Sequence, residues 1–425
     1  MGSVIIGSGR ALPARIVTND ELSEIVDTTD EWIVPRTGIH IRHVAIEETC
    51  TDLGTQAALR ALGLEEGGWQ REAGAIDAAT LDMIICPTLT ADTHFPSEAA
   101  RIRERIGATN AVCYDMSCAC SGCVYGLSTA DLIMAGAAFA RQEAARTGTP
   151  MRCNDVRRVL VVAAERLSKL VDWEERATCI LFGDGAGAVV LEWRDETETG
   201  AAEAAGAAEA AGADAPGILS SYMENTDDVD RTLWCDSAFA SREVPFAADG
   251  TTAAAGTSAT DAPRLAASDA ESDPYMRMAG QAVFKFATSA MIRCTEEALT
   301  RAGLTTDDVT LFTPHQANER IIRYAAKKMG LPMERFQVII DHVGNVSGAS
   351  ALIALNEALC EGKLQPGDIA CMTAFGGGLT AGSCVIRITP ALRLQAAMRS
   401  AAPDDPRHRK LFEHGAPPPS RGRTG

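Results

Sequence analysis

Positive charge is the first thing this sequence is short of: 39 Lys and Arg stand against 57 Asp and Glu, a formal net charge of −18. A general nucleic-acid binder needs a positive field to draw in phosphates, so that role is excluded, and an acidic partner could be met only by a local basic patch. Long apolar runs are also missing. The longest candidates, such as Val159 to Ala164, have the length of strands rather than of membrane helices. The N-terminus, Met1-Gly2-Ser3-Val4-Ile5-Ile6, has neither a basic lead-in nor a long apolar segment, and Ile6 stands where a myristoylation signal wants Ser or Thr. The expectation is a cytoplasmic protein with no membrane and no nucleic-acid partner.

What is present fits a folded enzyme, with 46% hydrophobic and 23% charged residues over 425 positions, a length that favours two packed units. Thirteen cysteines are scattered, odd in number and mostly set in apolar stretches, which suits reduced thiols better than a disulfide scaffold. Short apolar runs at Leu81 to Cys86, Val159 to Ala164, Val309 to Phe312, Phe336 to Ile340 and Ile369 to Phe375 alternate with helical patterns, which implies an α/β fold. The motif Phe182-Gly-Asp-Gly-Ala-Gly matches Phe375-Gly-Gly-Gly in kind, each an aromatic and a glycine cluster before a closing strand. The chain therefore divides into an N-terminal half (1–193) and a C-terminal half (217–390) that look like duplicated units. Between them, residues 194–216 carry GAAEAA twice and no aromatic or branched aliphatic side chain, so a flexible connection is expected there, at about 247–272, and in a tail over 391–425.

Three polar residues fall at strand-to-helix exits. Cys120, in Tyr114-Asp-Met-Ser-Cys-Ala-Cys-Ser-Gly-Cys, precedes the helix-like Cys123 to Ala135, where unpaired backbone N–H groups favour thiolate. Cys113, Cys118, Cys120 and Cys123 could alternatively suggest a metal site, but their C-x4-C-x-C-x2-C spacing matches no usual ligand pattern, so no metal is expected. His315, in Thr313-Pro-His-Gln-Ala-Asn, follows an apolar strand at the rim where α/β sheets bind ligands. Asn345, in Gly344-Asn-Val-Ser, precedes the helix-like Val346 to Leu359, where a helix cap is the plainer role.

With these residues, Asp30-Glu-Trp-Ile-Val-Pro-Arg-Thr-Gly-Ile and Ala374-Phe-Gly-Gly-Gly, the sequence resembles β-ketoacyl-acyl carrier protein synthase III, from about Val4 to Ile388. The resemblance implies a thiolase-like fold: two duplicated βαβαβαββ halves forming a five-layered αβαβα arrangement. It also implies the chemistry. Cys120 would take an acyl group from acyl-CoA, with the oxyanion held by the N–H groups of Cys120 and Gly377, and His315 and Asn345 would stabilise the enolate of a decarboxylating malonyl-acyl carrier protein. No cofactor is required, because a thioester already acidifies its α-carbon. By the same resemblance CoA would meet Trp32 and Arg176, which sandwich the adenine, with Thr28, Arg36, Gly280 and Asn318 nearby, and Phe95 would reach the partner's pocket in a homodimer.

Arg320, Arg323 and Lys327 share one face of the helix-like Glu319 to Met329, with Lys328 at its edge; together with Lys285 they form a basic patch for an acidic carrier protein. Ser121 and Cys123 stand where the family usually has Ala and Phe, and the segment from about Asn225 to Asp273 is lengthened. Both departures point to the acyl pocket, so Cys123 is expected to widen it. A specialised condensing enzyme of secondary metabolism and a non-catalytic heterodimer subunit are the alternative readings.

Overall fold

The computed structural model describes residues 2–70, 75–195, 217–237 and 273–388. The connections expected within 196–216 and 247–272, and the tail from 391, lie outside the described residues.

Two mixed sheets carry the fold. The first runs β4-β1-β8-β7-β5-β6, from β1 (Gly2–Ala11), β4 (Trp69–Gln70), β5 (Met83–Pro87), β6 (Val112–Met116), β7 (Arg158–Arg166) and β8 (Asp184–Arg194). The second runs β12-β13-β14-β9, from β9 (Gly217–Asn225), β12 (Leu311–Phe312), β13 (Ile369–Gly376) and β14 (Thr380–Arg387). Small ribbons pair β2 (Ile16–Thr18) with β3 (Ile41–His43), and β10 (Leu233–Trp234) with β11 (Arg277–Met278). The order β1-β8-β7-β5 and the order β9-β14-β13-β12 have the same sequence of senses, two antiparallel pairs and then a parallel one. The duplication read from the glycine motifs is thus a duplication of topology.

Its last strand is incomplete. The run Phe336 to Ile340, expected as a strand, contributes a single parallel bridge from Phe336 to Phe312 and then turns into a short helix over Ile340–Val343. The Gln337 N–H still donates to the Phe312 carbonyl (2.8 Å), but the backbone then bends to deliver Asn345.

Alternation along the buried strands sets the layers. In β7, Val161 faces the centre of the molecule and Val162 the outer face covered by α3 (Cys50–Ala61) and α4 (Glu98–Ile106). In β13, Met372 faces the same centre, while Cys371 faces α7 (Gly280–Arg301) and α8 (Glu319–Met329). Between the sheets lie α5 (Gly122–Thr147) and α10 (Ser350–Cys360), whose Leu127 and Leu352 join the central core. The result is the five-layered αβαβα arrangement. The shorter helices α1 (Asn19–Leu22), α2 (Asp30–Thr37), α6 (Arg176–Cys179) and α9 (Ile340–Val343) frame one rim.

The membrane expectation needs one correction. Residues Ala119–Thr147 form a helical segment long and apolar enough to cross a membrane by length and composition, and half of its apolar 18-residue window is buried inside the protein. Its apolarity is spread over Ala, Gly and isolated large side chains, so no single run announces it. All thirteen cysteines are free thiols.

Cys123 is fully buried in the central core with Val124, Leu127 and Val346. Cys123→Phe therefore overfills a closed interior. We expect it to lower stability by about 1–3 kcal/mol, measured by denaturant melts of both proteins.

Candidate active site

The turn that carries Cys120 is a 3-10 turn, Ala119–Ser121, wedged between the end of β6 and the start of α5. The topologically equivalent turn of the other half is Ser347–Ala349, ahead of α10. Both begin on a non-glycine residue in the left-handed region, Ala119 and Ser347, each with φ of 46°. Such strain persists only where the surroundings fix the backbone. Here the two turns pack on each other: a Cβ on Gly348 would lie 3.2 Å from the Ala119 carbonyl oxygen. The Thr380 hydroxyl reaches the Ser121 hydroxyl (2.9 Å) and the Cys118 carbonyl (3.1 Å), anchoring the cysteine turn to the second sheet.

Asn345 is bracketed by the Phe182 motif. Its N–H donates to the Leu181 carbonyl (2.9 Å), and its carbonyl accepts from the Gly183 N–H (2.9 Å). Its side-chain Oδ1 accepts from the Ser347 N–H at 2.9 Å, which leaves the Nδ2 group to the cavity. The residue is therefore more than a helix cap.

His315 leaves β12 with its N–H donating to the Thr373 carbonyl (2.8 Å) and its ring edge-on to Phe375, centroids 5.3 Å apart. The neighbouring Gln316 is fully buried. Its amide donates to the Pro314 and Gln337 carbonyls (2.8 and 3.0 Å) and accepts from the Ile339 and Ile340 N–H groups (2.9 and 3.2 Å). Gln316 thus locks the histidine loop to the segment that delivers Asn345, a role the sequence reading missed although the residue stands inside a quoted motif.

Cys120, His315 and Asn345 line one cavity of about 480 Å³, which opens past Phe284 and Met278 to Arg36, Asn318 and Arg320. The site is dry. Burial pushes the Cys120 thiol up to about 11, with a nearby Ser347 hydroxyl pulling the other way. This corrects the expectation of a helix-stabilised thiolate: loss of water outweighs the partial charge at the helix start. Burial alone takes His315 down to about 3, so its ring is neutral at pH 7. Its Nδ1 is buried without a partner, which leaves Nε2 as the nitrogen available to the cavity.

The other expected residues are distributed around this centre. Gly376 is pressed against the cysteine turn, where a Cβ on it would lie 2.5 Å from the Cys120 nitrogen; the next residue, Gly377, is set so that a Cβ would face the Leu233 carbonyl oxygen at 3.0 Å. Arg36, Gly280 and Asn318 line the cavity, and Asn318 joins α8 to α2 by donating to the Arg36 carbonyl (3.0 Å). Thr28 is buried with an unpartnered hydroxyl. Trp32 lies between two guanidinium groups, Arg36 at 4.4 Å and Arg176 at 4.3 Å from its ring centroid. A base between Trp32 and Arg176 needs about 7 Å between the outer layers, so the guanidinium must swing away for an adenine to enter. Lys285, Arg320, Arg323, Lys327 and Lys328 are exposed on the adjacent helices α7 and α8, with Arg323 paired to Glu319. Phe95 is 88% exposed. Cys123 does not line the cavity; among the described residues of the lengthened segment, Leu233 does.

A buried thiol, an imidazole and a carboxamide lining one cavity of a doubled, five-layered α/β frame define the class: a thiolase-fold acyltransferase of the condensing type. Two family models match, 3-oxoacyl-[acyl-carrier-protein] synthase III over residues 147–210 and its C-terminal domain over residues 299–388. The β-ketoacyl-[acyl-carrier-protein] synthase III of Alkalilimnicola ehrlichii is 38% identical over 385 residues, 90% of this chain and 98% of that one. The crystal structure of the synthase III from Aquifex aeolicus superposes with a TM-score of 0.69 at 38% identity, covering 91% of this chain and all (100%) of that one. The priming β-ketosynthase of the R1128 polyketide pathway gives a TM-score of 0.71 at 29% identity, over 92% of this chain and 97% of its own. This chain belongs to the β-ketoacyl-[acyl-carrier-protein] synthase III family.

Gly376→Ala places a methyl carbon on the Cys120 backbone nitrogen. We expect acyl transfer to Cys120 to fall by roughly 10²-fold or more, read by intact mass after incubation with acyl-CoA.

Proposed function

We propose that the chain condenses an acyl-CoA primer with malonyl-acyl carrier protein to give a 3-oxoacyl-acyl carrier protein and carbon dioxide. The observation that carries this reading is the convergence of the buried Cys120, His315 and Asn345 on one cavity. The Cys120 sulfur attacks the primer thioester, CoA leaves, and the acyl-enzyme remains. The malonyl thioester carbonyl then accepts hydrogen bonds from neutral His315 Nε2–H and Asn345 Nδ2–H, which stabilise the enolate formed as carbon dioxide departs. A neutral imidazole suits this work, since it donates one hydrogen bond without placing a full charge in a water-poor cavity. The enolate carbon attacks the acyl group on Cys120. No metal or redox group is needed for any of these bonds.

CoA is assigned to the rim of Thr28, Trp32, Arg36, Arg176, Gly280 and Asn318, and the carrier protein to the basic face of α7 and α8. The domain boundaries are assigned as two thiolase-like halves, 1–193 and 217–390. A homodimer is supported by the highly exposed Phe95 and by β6, the last strand of its sheet among the described residues. The likeness to the R1128 priming enzyme favours a second reading, in which the chain primes a specialised pathway; a primer other than acetyl is the mark we take for it.

Incubation with acetyl- through decanoyl-CoA, followed by intact-mass analysis, separates the two readings by the primer that loads fastest. Cys120→Ala should abolish the adduct, while Cys118→Ala retains it. His315→Ala and Asn345→Ala should keep most of the loading and lose malonyl decarboxylation by roughly 10²-fold; normal decarboxylation in both variants would remove them from the mechanism. Arg320→Glu should raise KM for the malonyl carrier protein, an effect that shrinks as salt rises.

A further inference from the structure

Under the proposed reaction, on which this inference rests, Cys120 carries an acyl group and needs an apolar wall beside its sulfur. One side of that wall comes from the small ribbon of β10 and β11. Across it Leu233 pairs with Met278 and Trp234 with Arg277. Leu233 stands next to the cysteine turn: a Cβ on Gly377 would lie 3.0 Å from its carbonyl oxygen and 3.4 Å from its Cγ, and the preceding Gly376 is the residue pressed on the Cys120 nitrogen. Leu233, Met276 and Met278 all line the cavity. Side chains alternate along an extended chain, so Arg277, between the two methionines, projects to the opposite side.

On that side Arg277 meets carboxylates from another element. Its Nη1 donates to Asp172 Oδ2 (2.9 Å) and to Glu175 Oε2 (2.7 Å), both in the segment that leads into α6, while its Nε donates to Asp273 on its own segment. Just beyond Glu175, Ala177 and Ile180 line the same cavity. Arg277 is therefore a strut between two stretches of cavity wall. The Met276 N–H, donating to the Leu170 carbonyl (2.8 Å), is the backbone bond beside it. The β10 arm is anchored separately, by Asp228 accepting from the Thr232 and Leu233 N–H groups (2.8 and 3.3 Å).

We propose that Arg277 is a specificity-determining positioning residue: by fastening β11 to Asp172 and Glu175 it sets how far Met276 and Met278 enter the cavity, and hence the length of acyl chain that Cys120 takes. A planar guanidinium suits the task, since one nitrogen serves two carboxylates and another serves the third. Without the cation, Asp172, Glu175 and Asp273 repel one another, and β11 draws back from α6. Methionine side chains are unbranched and flexible, so they repack around a longer chain rather than leave a void. Each methylene that gains apolar cover is worth about fourfold in binding. The four side chains of the strut are 22 to 34% exposed, so salt weakens it.

The test is competitive loading from an equimolar mixture of acetyl- through decanoyl-CoA, stopped early and read by intact mass as the ratio of octanoyl to acetyl adducts. Arg277→Met should raise that ratio by roughly tenfold, and Arg277→Lys, which keeps the charge but not the fork, should fall between it and wild type. Asp172→Asn combined with Glu175→Gln releases the strut from its other end and should shift the ratio in the same direction. Raising NaCl from about 50 to about 500 mM should move the wild-type ratio upward and leave that of Arg277→Met in place, a response that general loss of packing does not produce. Thermal melts identify the variants that retain their fold. A folded Arg277→Met whose ratio is unchanged, or lower, overturns the proposal. If that variant does not fold, an unchanged ratio in the Asp172→Asn, Glu175→Gln protein overturns it, and if neither folds, a wild-type ratio indifferent to salt does so. Absence of any adduct on Cys120 in the wild-type protein brings down instead the reaction on which the inference rests.

Discussion

Everything in the site depends on one contact: the two 3-10 turns, Ala119–Ser121 and Ser347–Ala349, packed against each other between the sheets. Neither turn adopts a backbone that a free chain would favour, since each begins on a side-chain-bearing residue at positive φ. The strain is carried by the close approach of Gly348 to Ala119 and of Gly376 to Cys120, where no side chain fits. Duplication explains why the contact exists. Each half ends a parallel strand in the same kind of turn, and stacking the halves on their inner helices brings the two turns together.

From that contact the electrostatics follow. Burial dominates the titration of the two ionisable groups that meet there: the Cys120 thiol goes up and the His315 imidazole goes down. The resting state is therefore uncharged at the sulfur and at the ring. Charge on the thioester oxygens develops only as bonds change, which is where fixed donors act most strongly. On α7 and α8, Lys285, Arg320, Arg323, Lys327 and Lys328 are exposed, a local concentration of positive charge in a chain of net charge −18.

Much of this was legible beforehand. The alternating strand and helix signals, the doubled glycine motif and the three polar residues at strand exits depend on local periods and turn chemistry, which a linear sequence records. The helix Glu319–Met329 matched its predicted limits because its apolar and basic faces repeat at helical spacing. The strand expected from Phe336 to Ile340 did not form beyond one bridge, because an apolar run of that length serves equally a strand or the approach to a buried helix. Cys123 was misplaced for a similar reason. Three residues beyond Cys120 the helix has turned its side chain into the central core.

The sequence by itself determined the fold class, the duplication and the three polar residues that meet in the cavity, because each is encoded in residue type and spacing along a short stretch. Only the tertiary structure decided which atoms meet and what state they hold. It packed Gly376 against the cysteine turn and made Gln316 the brace of the histidine loop. It also reversed the expected ionisation of the thiol, since the helix start that favours thiolate is local, whereas burial comes from side chains contributed by both halves of the chain.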